Sequence, residues 1–150
     1  MSQALQAAVA RQRMLLRGML AGPMERLARA CAASWSDQQA LEQSLAEGMN
    51  TLPSCKYLYV LDENASQVTA NLSARGWLPE HLGRNRSQRP YLQAALAGEA
   101  FSLSDAYISR NARRPSLTAV QRIETDNGDL LGYLGADFDL RELPLTREIY

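Results

Sequence analysis

The feature that most constrains the fold is a pair of apolar segments joined by Asp126-Asn127-Gly128. An Asn-Gly turn between two such segments is a strong local signal for an antiparallel hairpin. The segments span residues 117–124 and 130–139, and the second contains the small residues Gly132, Gly135 and Ala136. Small residues in a strand allow another element to approach closely. The sequence therefore predicts a packed antiparallel hairpin near its end.

Other strand segments precede this hairpin. Residues 56–61 are aromatic and β-branched, which favours a strand. Residues 62–66 are rich in turn formers, so residues 67–71 are expected to return as the partner strand. Residues 101–103 are predicted to form a short strand that residues 105–109 continue. Together these segments predict an antiparallel sheet.

The first third of the chain is predicted to be helical. Apolar residues recur on one helical face between residues 3 and 34, and Gly22-Pro23 is expected to kink or divide this helix. A capping box from Ser36 to Gln39 begins a second helix. The apolar face consists of Leu5, Val9, Leu16, Leu20, Leu27 and Cys31.

Helices that precede the strands, rather than alternate with them, are typical of an α+β fold. We expect one domain over residues 1–150, with a long helix (1–34) packed along a sheet core (35–143) and a short tail (144–150). A Rossmann or barrel fold is excluded by the same order of elements. The residues expected to be buried are Leu58, Val60, Val120, Leu134 and Phe138.

The long helix also predicts self-association. A helix over residues 3–34 would be roughly 48 Å long at 1.5 Å per residue. A compact domain of this size is only roughly 30–40 Å across. Part of the apolar face is therefore expected to form a homodimer, although the same face can also pack on its own domain.

Composition and charge argue against several classes of protein. The formal net charge is +0 and the chain has one lysine, so nucleic-acid binding is not expected. No apolar segment reaches the ~20 residues of a membrane span. Arg11, Arg13 and Arg17 interrupt any signal peptide. We therefore expect a cytoplasmic location, either as a separate domain or as the front part of a longer protein.

No catalytic, metal or cofactor site is predicted. His81 is the only histidine, and Cys31 and Cys55 lack the spacing of metal ligands. Asp137 and Asp139 share one face of the predicted last strand, where they would form only a weak acid–base or metal pair. A metal- or carboxylate-dependent enzyme is therefore the less favoured alternative.

Three arginines lie close together in residues 83–91, Gly-Arg-Asn-Arg-Ser-Gln-Arg-Pro-Tyr. This segment ends a long predicted loop, residues 72–88, and long loops tend to be functional. Ser87 is the expected N-cap of a short helix, with Pro90 in its first turn and Gly98 after its end. Guanidinium groups beside free helical N–H groups predict a carboxylate site. The alternative is a surface loop with solvated arginines.

Four segments in this order resemble the Cache family, the PAS-like sensor domains of bacterial receptors that are also grouped as PDC sensors. They are residues 59–64, 83–91, 102–107 and 132–140. The resemblance covers about residues 1–143. It implies a PAS-like antiparallel sheet with the N-terminal helix packed along it, and a ligand-binding sensory function in bacterial signal transduction.

The resemblance also implies a binding site. In amino-acid-binding members, an arginine and an aromatic residue hold the ligand carboxylate, while a later tyrosine and an aspartate engage its amino group. These roles fall on Arg89, Tyr91, Tyr107 and Asp137. Tyr91 stands where tryptophan is usual and Leu92 where a second aromatic is usual, so the ligand is expected to be an amino acid or a simple carboxylate. The alternative is a structural dimerisation domain with a non-functional pocket.

Overall fold

The computed structural model describes residues 3–105, 107–108 and 115–142, and within these ranges it gives only the backbone of Leu5, Gln6, Ala8, Val9, Tyr107, Ile108, Pro115 and Leu140. The α-helices in this part of the chain are α1 (Gln3–Ala33), α2 (Gln38–Gly48) and α3 (Gln93–Leu96). Its strands are β1 (Cys55–Asp62), β2 (Asn71–Ser73), β3 (Gly76–Leu78), β4 (Phe101–Leu103), β5 (Tyr107–Ile108), β6 (Pro115–Glu124) and β7 (Leu130–Asp139).

The described strands form one antiparallel sheet in the order β3-β2-β1-β7-β6-β4, and β5 also pairs with β6. Strand β7 is central, since it pairs with β1 on one side and with β6 on the other. The turn between β6 and β7 contains Gly128 at φ +86°, a conformation that glycine adopts without strain. The predicted hairpin and the α+β class are confirmed.

Helix α1 packs along one face of the sheet. Its side chains Leu16, Leu20, Leu27 and Cys31 are buried there, as expected for a helix that packs on its own domain. The helix is not divided at Gly22-Pro23, because α1 continues through Pro23, and the alternative of a kink there stays a prediction. Burial of apolar side chains on both sides of the proline offsets the hydrogen bond that proline removes.

Two arginines of α1 bind the outer edge of β4. Arg13 donates from Nη1 to the carbonyl oxygen of Ser104 (2.7 Å) and from Nη2 to that of Leu103 (2.8 Å). Arg17 donates to the carbonyl oxygen of Phe101 (3.3 Å), and its guanidinium lies 5.1 Å from the centroid of that ring. Edge strands carry unpaired carbonyl groups, and these contacts satisfy those of Phe101 and Leu103.

Helix α2 begins one residue later than predicted. The N-cap is Asp37, whose carboxylate accepts hydrogen bonds from the N–H groups of Gln39 (3.0 Å) and Ala40 (3.3 Å). Ser36 has a φ of +84°, outside the extended region that an N-cap residue adopts. The predicted cap at Ser36 is therefore wrong, although the helix itself is confirmed.

The strand after β1 also differs from the prediction. Before β2 begins, the chain contacts β1 irregularly: Gln67 forms an isolated bridge, the N–H of Val68 donates to the carbonyl of Val60 (2.9 Å), and the hydroxyl of Thr69 accepts from the N–H of Val60 (3.0 Å). The backbone of Gln67 also binds the arginine segment: its N–H donates to the carbonyl of Arg84 (2.9 Å), and its carbonyl accepts from the N–H of Gly83 (2.8 Å). The expected loop over residues 72–88 contains the β2–β3 hairpin. The predicted return along β1 is therefore present but irregular, and regular pairing with β1 is at Leu72 in β2.

The sheet separates two apolar clusters. Leu58, Val60, Leu134 and Phe138 pack with α1 and α2 on one face. The opposite face, which we call the site face, carries Tyr59, Leu61, Val120 and Tyr133 beneath Leu92 and Ala95. Successive residues of a strand point to opposite faces, so β1 and β7 contribute to both clusters. The residues predicted to be buried in the sheet are all buried.

Candidate functional site

The arginine segment leads into a short helical stretch beside the site face. A 3-10 helix, Pro90–Leu92, begins directly after Arg89, whose side chain makes no capping hydrogen bond, and continues into α3. Ser87 is not the N-cap, because its N–H and hydroxyl bind the side-chain oxygen of Asn85. The predicted end at Gly98 is confirmed: Gly98 has a φ of +113° and donates to the carbonyl of Ala95 (3.0 Å).

Arg86 is the buried arginine of this segment, at 4% exposure, whereas Arg84 is exposed and Arg89 is half-buried. Its Nε and Nη2 donate to Oε1 of Gln67 at 3.1 and 2.6 Å. Its Nη1 donates to the hydroxyl of Tyr91 at 3.0 Å. The guanidinium is therefore held mainly by neutral acceptors.

Hydrogen bonds also hold the side chain of Gln67, the main acceptor for Arg86, in place. Gln67 donates from Nε2 to the carbonyl of Thr69 (2.8 Å) and to Oδ1 of Asn71 (2.7 Å). In the described residues no carboxylate forms an ion pair with Arg86. Burial acts to lower the pKa of Arg86, but Tyr59, Tyr91 and Asp137 outweigh it and raise that pKa. Arg86 is a buried cation at neutral pH.

Asp137 is the half-buried carboxylate of the site face. It lies on β7 directly opposite Tyr57 on one side and Thr118 on the other. Its Oδ1 accepts hydrogen bonds from the hydroxyls of Tyr59 (3.0 Å) and Thr118 (2.8 Å). Within the described parts of the chain, no donor binds Oδ2. Burial raises the pKa of Asp137, against the opposing effects of Arg86, Thr118 and Tyr59.

Tyr59 contacts both the Arg86 guanidinium and the Asp137 carboxylate. Its ring faces the Arg86 guanidinium, whose central carbon lies 4.0 Å from the ring centroid. Its hydroxyl donates to Asp137. The ring lies over Gly135, where an added Cβ would be only 2.2 Å from a ring carbon. A glycine at this position of β7 is therefore required for the ring to lie flat on the sheet.

The structure brings two of the four expected site residues into this network, Tyr91 and Asp137. Arg89 lies at the start of the 3-10 helix, and among the described residues its guanidinium has no hydrogen bond or ion pair. The backbone of Tyr107 pairs with Ser116, while its side chain lies outside the described residues. The ligand role of all four residues stays a prediction.

Arg86 and its partners Tyr59, Gln67 and Asn71 are not among the site residues predicted from sequence. One signal for Tyr59 was present, since alternation places it on the opposite face of β1 from Leu58 and Val60. No comparable signal marked Gln67, because its role depends on a contact with Arg86, 19 residues away.

The described residues give little support for a metal site, an acid–base pair or a membrane span. Within the residues described, no group of three His, Cys, Asp or Glu side chains is placed to hold a metal ion. The carboxylate of Asp139 already accepts a hydrogen bond at Oδ1 from the backbone N–H of Arg141 (2.9 Å). Burial and the nearby arginines lower the pKa of His81. Among the described helices, none is both long and apolar enough to span a membrane.

No model of a protein family matches the sequence, and comparison with curated proteins gives no significant match. Solved structures with a similar fold do exist. One is the sensory domain of the Campylobacter jejuni chemoreceptor Tlp3 with isoleucine bound, at a TM-score of 0.69 and 17% identity. The likeness covers 96% of this chain and 59% of that one.

Two further structures extend this comparison. The ligand-binding domain of the Pseudomonas fluorescens chemoreceptor CtaA, in complex with L-isoleucine, gives a TM-score of 0.65 at 18% identity, over 95% of this chain and 56% of that one. The Bacillus subtilis YkuI protein, with an EAL domain and in complex with c-di-GMP and calcium, gives 0.61 at 20% identity, over 96% and 36%. This chain thus spans little more than half of the chemoreceptor domains. At these identities the likeness shows the fold: the chain has the fold of bacterial chemoreceptor sensory domains, consistent with a Cache or PDC-type domain.

Proposed function

We propose that the chain is a ligand-binding sensory domain that recognises a small amino acid or carboxylate on the site face. The observation that carries this proposal is Asp137, a half-buried carboxylate with one oxygen unoccupied in the described residues and the other fixed by two hydroxyls. Fold likeness to sensory domains that are solved with amino acids bound supports it.

The four expected residues take distinct roles in this proposal. Arg89 binds the ligand carboxylate, because the donors of Arg86 already bind Gln67 and Tyr91 whereas the guanidinium of Arg89 has no partner in the described residues. Tyr91 and Tyr107 line the ligand. Asp137 binds its ammonium group. An amino acid is favoured over a plain carboxylate, since a second negative charge beside Asp137 would be repelled.

Binding by single-site variants tests these roles. We expect Arg89→Ala to abolish binding of L-isoleucine, L-valine and L-serine in calorimetry, while Arg84→Ala, an exposed arginine of the same segment, binds as the parent does. Asp137→Asn should weaken an amino acid by about 2 kcal/mol or more and a plain carboxylate far less. Unchanged affinity in Arg89→Ala would remove Arg89 from the site.

Homodimerisation through α1 is the second part of the proposal. Met14 and Leu15 are 74% and 52% exposed on the side of α1 that faces away from the sheet, and Met19 is also exposed. A second copy of α1 would cover this apolar surface. Light scattering should show that Leu15→Glu dissociates the dimer, while Ala30→Glu, at an exposed position later in α1, does not. A monomeric parent at high micromolar concentration would contradict this part.

We further propose that the domain has no catalytic activity and lies in the cytoplasm. The lack of a described metal cluster and the binding of Asp139 by Arg141 support the first statement. Turnover of any bound ligand, followed by chromatography of the incubation mixture, would contradict it. Recovery of the native protein in a membrane or periplasmic fraction would contradict the second.

A further inference from the structure

We propose that Tyr59 is a positioning residue for Asp137: it carries the influence of Arg86 to the carboxylate and leaves Oδ2 as the oxygen that faces the ligand. This inference rests on the proposed function, because Asp137 is taken as the ammonium-binding group. Arg86 and Tyr59 themselves need not contact the ligand. Their effect on binding would be exerted through the hydrogen bond between Tyr59 and Asp137.

The geometry leaves Tyr59 little freedom. Its ring is buried between the Arg86 guanidinium, 4.0 Å from the centroid, and the backbone at Gly135. The hydroxyl is therefore held at Oδ1 of Asp137, where Thr118 donates as well. Two donors on one oxygen fix the plane of the carboxylate. A ligand cation then meets a carboxylate that is already oriented.

The stacked cation also strengthens this hydrogen bond. Arg86 forms no ion pair with Asp137 in the described residues, whereas Tyr59 contacts both: its ring faces the guanidinium and its hydroxyl binds the carboxylate. A cation over the face of an aromatic ring draws electron density from it, and neighbouring hydrogen bonds in a buried network polarise one another. The phenol is thereby a better donor to the carboxylate than an unstacked tyrosine.

The consequence is a carboxylate that ionises more easily than burial alone would allow. Burial raises the pKa of Asp137, while Arg86, Thr118 and Tyr59 oppose the rise. An ammonium ligand needs the ionised form, so its affinity is lost as the pH falls through this pKa. The titratable or charged groups described around Asp137 are Cys55, Tyr57 and Tyr59 of β1, Asp139 of β7 and Arg86.

The first test needs no ligand. The side-chain carboxyl of Asp137 is titrated by carbon NMR in the full chain, in Tyr59→Phe and in Tyr57→Phe. Tyr59→Phe keeps the stacked ring but removes the donor, so the pKa of Asp137 should move to higher pH. Tyr57→Phe removes a hydroxyl from the same strand and face, and it should leave the titration unchanged because no described hydrogen bond involves that hydroxyl.

Arg86→Gln is a second variant for the same titration. It keeps a side chain that can bind its neighbours but removes the charge over the ring, so the pKa of Asp137 should again rise. The inference is overturned if the titration is the same in the parent and in Tyr59→Phe, or if Tyr57→Phe moves it equally.

The second test measures binding of L-isoleucine and of 3-methylpentanoate, which has the same carbon skeleton without the amine. Tyr59→Phe should weaken L-isoleucine about tenfold, the typical effect of one hydrogen bond to a charged group, and should leave 3-methylpentanoate within about twofold. Equal weakening of both probes would overturn the positioning role. If the parent binds neither probe, the proposed function fails for this class of ligand, while the titration still decides the role of Tyr59.

Discussion

The guanidinium of Arg86 stacks on the ring of Tyr59, with 4.0 Å between its central carbon and the ring centroid. The cation is buried without an ion pair in the described residues, and Gln67, Asn71 and Tyr91 accept its hydrogen bonds. A buried charge is costly unless such acceptors surround it. This arrangement makes Arg86 part of the core, although it lies in a segment that looks like a surface loop.

Arg86 and Arg89 are therefore expected to differ in their effect on stability. Arg86→Ala leaves Oε1 of Gln67 buried without its donors, and we expect the free energy of unfolding to fall by about 3 kcal/mol or more. Arg89→Ala removes a half-buried side chain with no described partner and should cost less than about 1 kcal/mol. Urea denaturation measures both. Equal losses would contradict the assignment of Arg86 to the core.

Asp137→Asn should show a stability that depends on pH. Burial raises the pKa of Asp137, so the folded state binds this proton more tightly than the unfolded state. The contribution of the group to stability is thus largest below the ordinary carboxyl pKa of about 3.9, and it is lost as the pH rises through the folded-state value. Asparagine cannot ionise and avoids this loss.

We therefore expect the melting temperature of Asp137→Asn, relative to the parent, to increase from about pH 4 to about pH 7 in the absence of ligand. Differential scanning calorimetry at several pH values provides the measurement. If the melting temperature of Asp137→Asn relative to the parent instead decreases as the pH rises, the folded protein favours the ionised carboxylate.

Gly135→Ala should destabilise the protein through Tyr59. The new Cβ would lie 2.2 Å from one ring carbon and 2.5 Å from another, so the ring must move off the sheet. Overpacking of this kind typically costs about 1–3 kcal/mol. Gly18→Ala is the matched control, because nothing lies within 4 Å of its Cβ position and it is exposed on α1. The control should gain up to about 1 kcal/mol from helix propensity.

Arg13→Ala should loosen the attachment of α1 to the sheet. The two bonds from Arg13 to the carbonyls of Leu103 and Ser104 are partly buried, and their loss should cost about 1–2 kcal/mol. Arg11→Ala removes an exposed arginine of the same helix and should change stability by less than about 0.5 kcal/mol. Guanidinium denaturation of the two variants makes the comparison, and identical midpoints would show that the bonds add nothing.

The β6–β7 hairpin could be predicted from sequence because its signals are local. The turn residues 126–128 lie between two apolar segments, and β7 has the bounds Leu130–Asp139 that the pattern indicates. Leu134 and Phe138 share one face of this strand, and both are buried. Strand pairing of this kind needs no information from distant parts of the chain.

The choice among Arg84, Arg86 and Arg89 could not be predicted in the same way. Their spacing is compatible with any of them being buried. The choice depends on Gln67, whose backbone pairs with the arginine segment and whose side chain meets Arg86. Asp137 was expected in the site from the family resemblance, and the structure adds the two hydroxyls that hold it.

The hydrogen bonds from Arg13 and Arg17 to β4 also bear on how copies of this protein can meet. The carbonyls of Phe101 and Leu103 are those that a strand from another molecule would need for β-augmentation. With α1 bound there, that edge cannot serve as a template for cross-molecular sheet growth. Contact between copies at this end of the sheet must therefore involve side chains of the helix, a kind of contact that closes a dimer instead of propagating a fibre.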